Sequence, residues 1–227
     1  MIAERLTQLR ADIAAVAQGR DVKLLAVSKT FPVEAMAEAF AAGQRHFGEN
    51  YVQEAREKFA QWQDRDRVEW HLVGPLQRNK INQALEIFDY FHAIDSLRLL
   101  EALDQRALAA GKRPKLLLQV RLGEEESKHG FHPDEVLPLL EELRSSPPQA
   151  VRLVGLMTIP PPIDDARPHF RRLHQLSEEI RQRDFAFFED HQLSMGMSDD
   201  YPVAIQEGAT WIRVGRALFG HRPFKEP

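Results

Sequence analysis

Eight short apolar runs, each followed by a stretch with helical periodicity, constrain this chain more than any other feature of its sequence. The runs are VKLLAVS (22–28), RHFG (45–48), VEWHLVG (68–74), YFHAI (90–94), KLLLQVR (115–121), RLVGLMTI (152–159), QLSMG (192–196) and WIRVG (211–215). Bounded runs of this length read as buried strands. Between them, sets such as Val33, Met36 and Phe40, then Val52, Ala55, Phe59 and Trp62, then Phe170, Leu173, Leu176 and Ile180 recur at the spacing of a helix face. Strands alternating with helices call for a parallel sheet, because each helix carries the chain back to the end where the next strand starts. A count of eight selects closure, so the fold expected is α/β, a single (β/α)₈ barrel over residues 1–227. An extra N-terminal helix on Ile2, Leu6, Leu9, Ile13 and Val16 precedes it. An open doubly wound sheet would usually carry a glycine-rich turn after its first strand, and AVSKTFP has no glycine. Pro138 interrupts the sixth helical pattern and blurs its start.

Composition narrows the function classes. The 30 basic residues are scattered among 34 acidic ones, for a formal net charge of −4, so no basic stripe points to nucleic acid. Without cysteine there is no disulfide, thiol nucleophile or thiolate metal site. The opening MIAERLTQLR has no apolar core of a secretory signal, and no run approaches the ~18 apolar residues of a membrane span. The expected protein is cytoplasmic, without membrane or nucleic-acid partners.

Functional groups in such a barrel gather where the strands end and the following loops begin. Those positions hold Lys29, Glu49–Asn50, Gly74, Asp95–Ser96, Arg121, Met157, Ser194 to Ser198 and Arg213 to Arg216. Strand alternation adds direction. If Val68, Trp70 and Leu72 face the helices, Glu69 and His71 turn inward; the same parity turns Gln119, Arg121 and Arg213 inward. Polar groups inside a barrel are costly unless paired, so several together mark a site. Lys29 stands two residues after Val27, in register with the inward face; it reads either as a solvated loop lysine or as a desolvated amine able to form an imine. After the last strand, Arg216 to Gly220 reads as a short helix whose free N–H groups favour a phosphate, with Ser198 as a hydroxyl donor. Ser198 reads equally as a helix N-cap, and Asn50 with Gln53 as a capping box. The nine histidines show no metal-ligand spacing, and no metal site is expected.

The segments Ala26-Val-Ser-Lys29, Phe47-Gly-Glu-Asn-Tyr-Val-Gln-Glu54, His71-Leu-Val-Gly-Pro-Leu-Gln77 and Asn79-Lys80 resemble the pyridoxal phosphate homeostasis protein family. So do Glu125-Glu-Ser-Lys128, Gly155-Leu-Met157, Leu193-Ser-Met-Gly-Met-Ser-Asp-Asp200 and Ile212-Arg-Val-Gly215; the likeness runs from about Lys23 to Gly220. The resemblance implies a barrel like the N-terminal domain of alanine racemases, with pyridoxal phosphate held as an imine on Lys29 and Asn50 beside it. It also implies that Ser198, with backbone N–H groups near Gly215 and residue 216, holds the phosphate, and that Arg213 faces the pyridine nitrogen. His71 and Met157, from two of the quoted segments, complete the expected cofactor site. Two positions depart from the family pattern: Arg216 replaces a small hydroxyl residue, and Arg78 replaces a small or polar one.

An arginine beside the ring nitrogen does not favour its protonation, which weakens the ring as an electron sink. A racemase also needs a second acid or base opposite the first, in the related enzymes a tyrosine from another domain; here the chain ends twelve residues after Gly215. The expected function is therefore a carrier or buffer of pyridoxal phosphate, not an enzyme, acting as a monomer, with cofactor-dependent apoenzymes as recipients. The alternatives are a low-activity racemase or lyase, and a cofactor-free lysine-imine aldolase acting on a phosphosugar.

Overall fold

The computed structural model describes residues 1–123, 129–161 and 165–220. The Glu125–Lys128 motif, the Glu124–Glu126 turn and Pro162 lie outside them. The strands are β1 (Lys23–Val27), β2 (His46–Glu49), β3 (Glu69–Leu72), β4 (Tyr90–Ile94), β5 (Lys115–Gln119), β6 (Arg152–Met157), β7 (Phe188–Ser194) and β8 (Trp211–Val214). They close in sequence order, every neighbouring pair parallel, with β8 returning to β1. The long helices between them are α2 (Val33–Ala41), α3 (Val52–Gln61), α5 (Leu97–Ala110), α6 (Pro133–Ser145) and α7 (Arg167–Arg183). Shorter ones are α4 (Ile81–Leu85), α8 (Tyr201–Gln206) and α9 (Arg216–Phe219). This is the (β/α)₈ barrel read from the sequence, and no helix among the described residues is long and apolar enough to cross a membrane.

The extra helix α1 (Ile2–Ala17) lays Leu6, Leu9, Ile13 and Ala17 against the outside of the barrel, over α2, α8 and α9. Arginines on and just after it bond neighbouring carbonyls: Arg10 to Gly43 at 2.9 Å, and Arg20 to Ile205. Gln18 and Gly19 then adopt left-handed backbone, which ends the helix and sends the chain into β1.

Two apolar layers result. The larger lies between strands and helices and includes Trp70, Leu72, Phe47 and Phe91. The smaller fills the barrel itself with Leu25, Val27, Val73, Tyr90, Ala93, Leu117, Val154, Met157 and Trp211. Parity within β3 holds as read: Val68, Trp70 and Leu72 pack outward and His71 inward. β5 stops at Gln119, so Arg121 lies just beyond the strand, its amide donating to the Phe131 carbonyl at 3.0 Å.

The seventh strand also differs from expectation: β7 starts at Phe188 and ends at Ser194, where the apolar run suggested 192–196. Its stretch Glu189-Asp-His-Gln192 is polar, and Asp190 and His191 take left-handed φ values of 60° and 50°. This bulge shifts the register against β6 between Leu153 and Gly155, so simple alternation cannot reveal the strand. Gly155 makes the bulge possible: a Cβ there would lie 2.0 Å from the Gln192 carbonyl oxygen. Gly155→Ala is therefore expected to cost about 3 kcal/mol of stability in urea unfolding; a cost below about 1 kcal/mol would show that the bulge relaxes freely.

Candidate functional site

The C-terminal ends of the strands bring Lys29, Asn50, Ser198, Gly215 and Arg216 to one mouth, whereas His71 lies deeper, against Tyr90 and Trp211. Lys29 is half-buried in the turn after β1, directly past the fully buried Ser28, and the inward register continues from Leu25 and Val27 below it. On the next strand Asn50 follows β2 and is half-buried. Its capping role fails: the N-cap of α3 is Tyr51, and among the described residues no side-chain cap bond is made there. Gly74 lies hard against it, since a Cβ on Gly74 would sit 2.3 Å from the Asn50 carbonyl oxygen. The β2 and β3 loops can meet at this point only through a glycine.

Across the mouth, the β7 and β8 loops converge. Gly215 is the N-cap of α9, and the Ala217 amide reaches the Ser198 Oγ at 3.4 Å. A hydroxyl and the first amides of a helical turn thus gather around one point, a donor set suited to a phosphate. The N-cap of α8 is Asp200, so Ser198 is not spent on that helix. Arg216 opens α9 but turns away, its guanidinium 2.5 Å from the Asp199 carboxylate and 60% exposed. Residue 216 thus offers its backbone to the loop, not its charge.

Between these two sides, Arg213 rises from β8, 5% exposed. It donates to the Ser194 Oγ and to the Thr158 carbonyl, both at 2.8 Å. Ser194 Oγ lies 2.8 Å from His92 Nδ1, and His92 Nε2 lies 3.0 Å from His71 Nδ1. All four side chains are buried. Arginine can only donate, so the Ser194 hydroxyl accepts from it and forms a second hydrogen bond with His92 Nδ1. His92 is in turn hydrogen-bonded to His71, whose Nε2 has no hydrogen-bond partner among the described residues. Burial, then the nearby Arg213 charge, push the His92 imidazole down to about 3; burial and His92 hold His71 well below the usual histidine range. Burial lowers Arg213 to about 10, which leaves it charged at neutral pH. Met157 is fully buried in the apolar layer inside the barrel.

At the opposite, N-terminal end, His46 Nδ1 lies 2.8 Å from Glu69 Oε2, and Lys115 Nζ lies 3.5 Å from Glu69 Oε1 and 2.9 Å from the Tyr90 hydroxyl. With His71, these histidine and glutamate atoms fall within 4.8 Å of one another, a grouping no sequence spacing announced. Two lysines, Lys23 and Lys115, already oppose this carboxylate's charge. Two further groups had no sequence signal: His92, because YFHAI reads as a plain apolar run, and Lys58, because it sits on an amphipathic helix.

Residues 5–223 match the family model described as the alanine racemase N-terminal domain. The chain is 39% identical to the pyridoxal phosphate homeostasis protein of Pasteurella multocida, over 99% of both chains. It is 42% identical to that of Pseudomonas aeruginosa, over 100% of this chain and 98% of the other. The structure of PipY from Synechococcus elongatus with pyridoxal phosphate bound superposes with a TM-score of 0.88 at 44% identity, covering 97% of this chain and 100% of PipY. An alanine racemase of Clostridium difficile shares the fold alone, with a TM-score of 0.71 at 15% identity over 57% of its length.

The neutral histidines carry a pH dependence. The unfolded chain protonates His92 near the ordinary ~6.5, while the folded one resists until about 3. Its contribution is therefore present above ~6.5 and lost as pH falls toward 3, at about 1.4 kcal/mol per pH unit. Urea unfolding at pH 7 and pH 5 should show a smaller stability loss for His92→Gln than for the parent; equal losses would mean His92 is protonated in the folded protein.

Proposed function

The chain belongs to the alanine racemase N-terminal domain family and, within it, to the pyridoxal phosphate homeostasis proteins, and on that premise we propose that it binds pyridoxal phosphate through Lys29 as a carrier or buffer of the cofactor. The observation that carries this reading is the convergence on one mouth of a half-buried lysine, a buried charged arginine and a hydroxyl–amide cup. These residues fit the group: the Ser198 Oγ and the amides at Gly215, Arg216 and Ala217 would take the phosphate, Arg213 the ring nitrogen, and Lys29 the aldehyde. Asn50, His71 and Met157 are assigned to the surroundings of the ring, His71 through its hydrogen bond to His92. When bound, the cofactor supplies an aldehyde that an amine captures reversibly.

The protein's own groups favour holding over transforming. Arg213 is charged and anchored at Ser194 and Thr158, so it presents donors to a ring nitrogen and no carboxylate to protonate it. Tyr51, at the rim, is 59% exposed and in no position fixed by packing to act as a second acid or base. In this reading the protein acts as a monomer and the recipients are cytoplasmic apoenzymes.

Adding pyridoxal phosphate to the purified protein should produce a new absorption band that Lys29→Ala lacks while melting like the parent. A band that survives in Lys29→Ala would place the capture on another amine. Exchange of the α-proton of an added amino acid would favour a racemase or lyase instead. Arg216→Thr, which removes only a side chain turned toward Asp199, should bind within about threefold of the parent; a larger loss by titration would mean that the guanidinium reaches the phosphate.

A further inference from the structure

Lys29 stands between two residues that are both tied to one ionic cluster. The Ser28 carbonyl accepts from Lys58 Nζ at 2.8 Å, and the Ser28 hydroxyl donates to Glu49 Oε1 at 2.7 Å. The Thr30 amide donates to Glu54 Oε1 at 2.5 Å. Lys58 joins these partners, with its Nζ 2.8 Å from Glu49 Oε1 and 2.7 Å from Glu54 Oε1. Its ammonium therefore spends all three N–H groups, on Ser28, Glu49 and Glu54, which is how a lysine side chain 7% exposed is tolerated. The turn it holds is one that would not persist unaided. Thr30 adopts φ 68°, a left-handed conformation that a β-branched residue takes only at a cost.

The peptide groups on both sides of Lys29 are thus pinned from α3, a helix that contributes no residue to the mouth itself. We propose that Lys58 and Glu54 are positioning residues for Lys29, fixing the turn so that its amine meets the aldehyde of a ligand seated in the phosphate cup. The inference rests on the reading of Lys29 as the capturing amine. A cluster that merely fastened α3 to β2 would not need to grip Ser28 and Thr30. Those two bonds reach the only residues that flank Lys29.

The test separates capture from seating. Pyridoxamine phosphate carries the ring and phosphate without the aldehyde, so its affinity reports the cup alone. Glu54→Ala should slow pyridoxal phosphate capture about tenfold while changing pyridoxamine phosphate affinity less than twofold. Glu54→Gln keeps an oxygen for the Thr30 amide and should restore most of the rate. Lys58→Met should slow capture further; because it leaves Glu49 buried without its cation and can compromise folding, Glu54→Ala is the deciding variant. Unchanged capture in Glu54→Ala overturns the proposal, as does a parallel loss for both ligands, which would mark a purely structural cluster. If the parent protein takes up neither ligand, the binding reading fails on its own. Hydrogen exchange then still judges the clamp: the Thr30 amide should exchange faster in Glu54→Ala than in Glu54→Gln, and equal rates overturn it.

Discussion

A guanidinium placed inside a closed barrel has to be solvated by protein, and much of the interior follows from that demand. Out of reach of water, the Arg213 N–H groups need protein acceptors, and Thr158 supplies a carbonyl and Ser194 a hydroxyl. Ser194 makes a second hydrogen bond, to His92 Nδ1. His92 in turn needs a partner for its other nitrogen and finds it in His71, stacked on Tyr90 with ring centroids 4.3 Å apart. One buried charge near the mouth thereby orders a line of polar groups through a core otherwise made of Leu25, Leu117, Val154 and Met157. Burial keeps the line neutral, and for His92 the Arg213 charge adds its repulsion in a medium that screens poorly.

The fold was legible because parallel barrels impose a rhythm that composition alone cannot hide. Strand ends were legible too, and Lys29, Asn50, Ser198 and Gly215 fell out of them. What remained hidden had physical reasons. The β7 strand carries two left-handed residues at its bulge, so its polar half looked like loop. His92 sits in a strand where β4 shifts register against β5, and every residue of YFHAI is buried, which erases the alternation that exposed His71. Lys58 lies one helical turn from Glu54, a pairing that on a surface helix signifies little more than a solvated ion pair. Only the tertiary placement of α3 against the β1 turn turns that pair into a buried contact.

The two halves of the mouth are built by different means. The side formed by β7 and β8 relies on backbone amides and small residues, since Gly215 and Ala217 can present N–H groups without side chains intervening. The Arg216 side chain does not crowd these amides, because it leaves the loop for Asp199. The side formed by β1 and β2 relies on charge: Glu49, Glu54 and Lys58 meet under Ser28 and Thr30. A phosphate needs many weak, directional donors, which a loop provides. A single reactive amine needs one fixed origin, and a loop alone does not provide that.

Burial of Lys58 and Glu49 together also says why the arrangement sits on β2 and α3 and nowhere else. Glu49 is the last residue of its strand and fully buried, and burial raises its carboxyl above the usual range although Lys58 and Ser28 pull it back. An unpaired carboxylate there would be expensive, and so would an unpaired ammonium. Each makes the other possible only if α3 begins at once after the strand, as it does with Asn50 and Tyr51 alone between them. A longer connection would leave the helix free to drift and the pair free to part. The short β2–α3 join is thus a condition for the cluster, and the cluster is what holds the turn carrying Lys29.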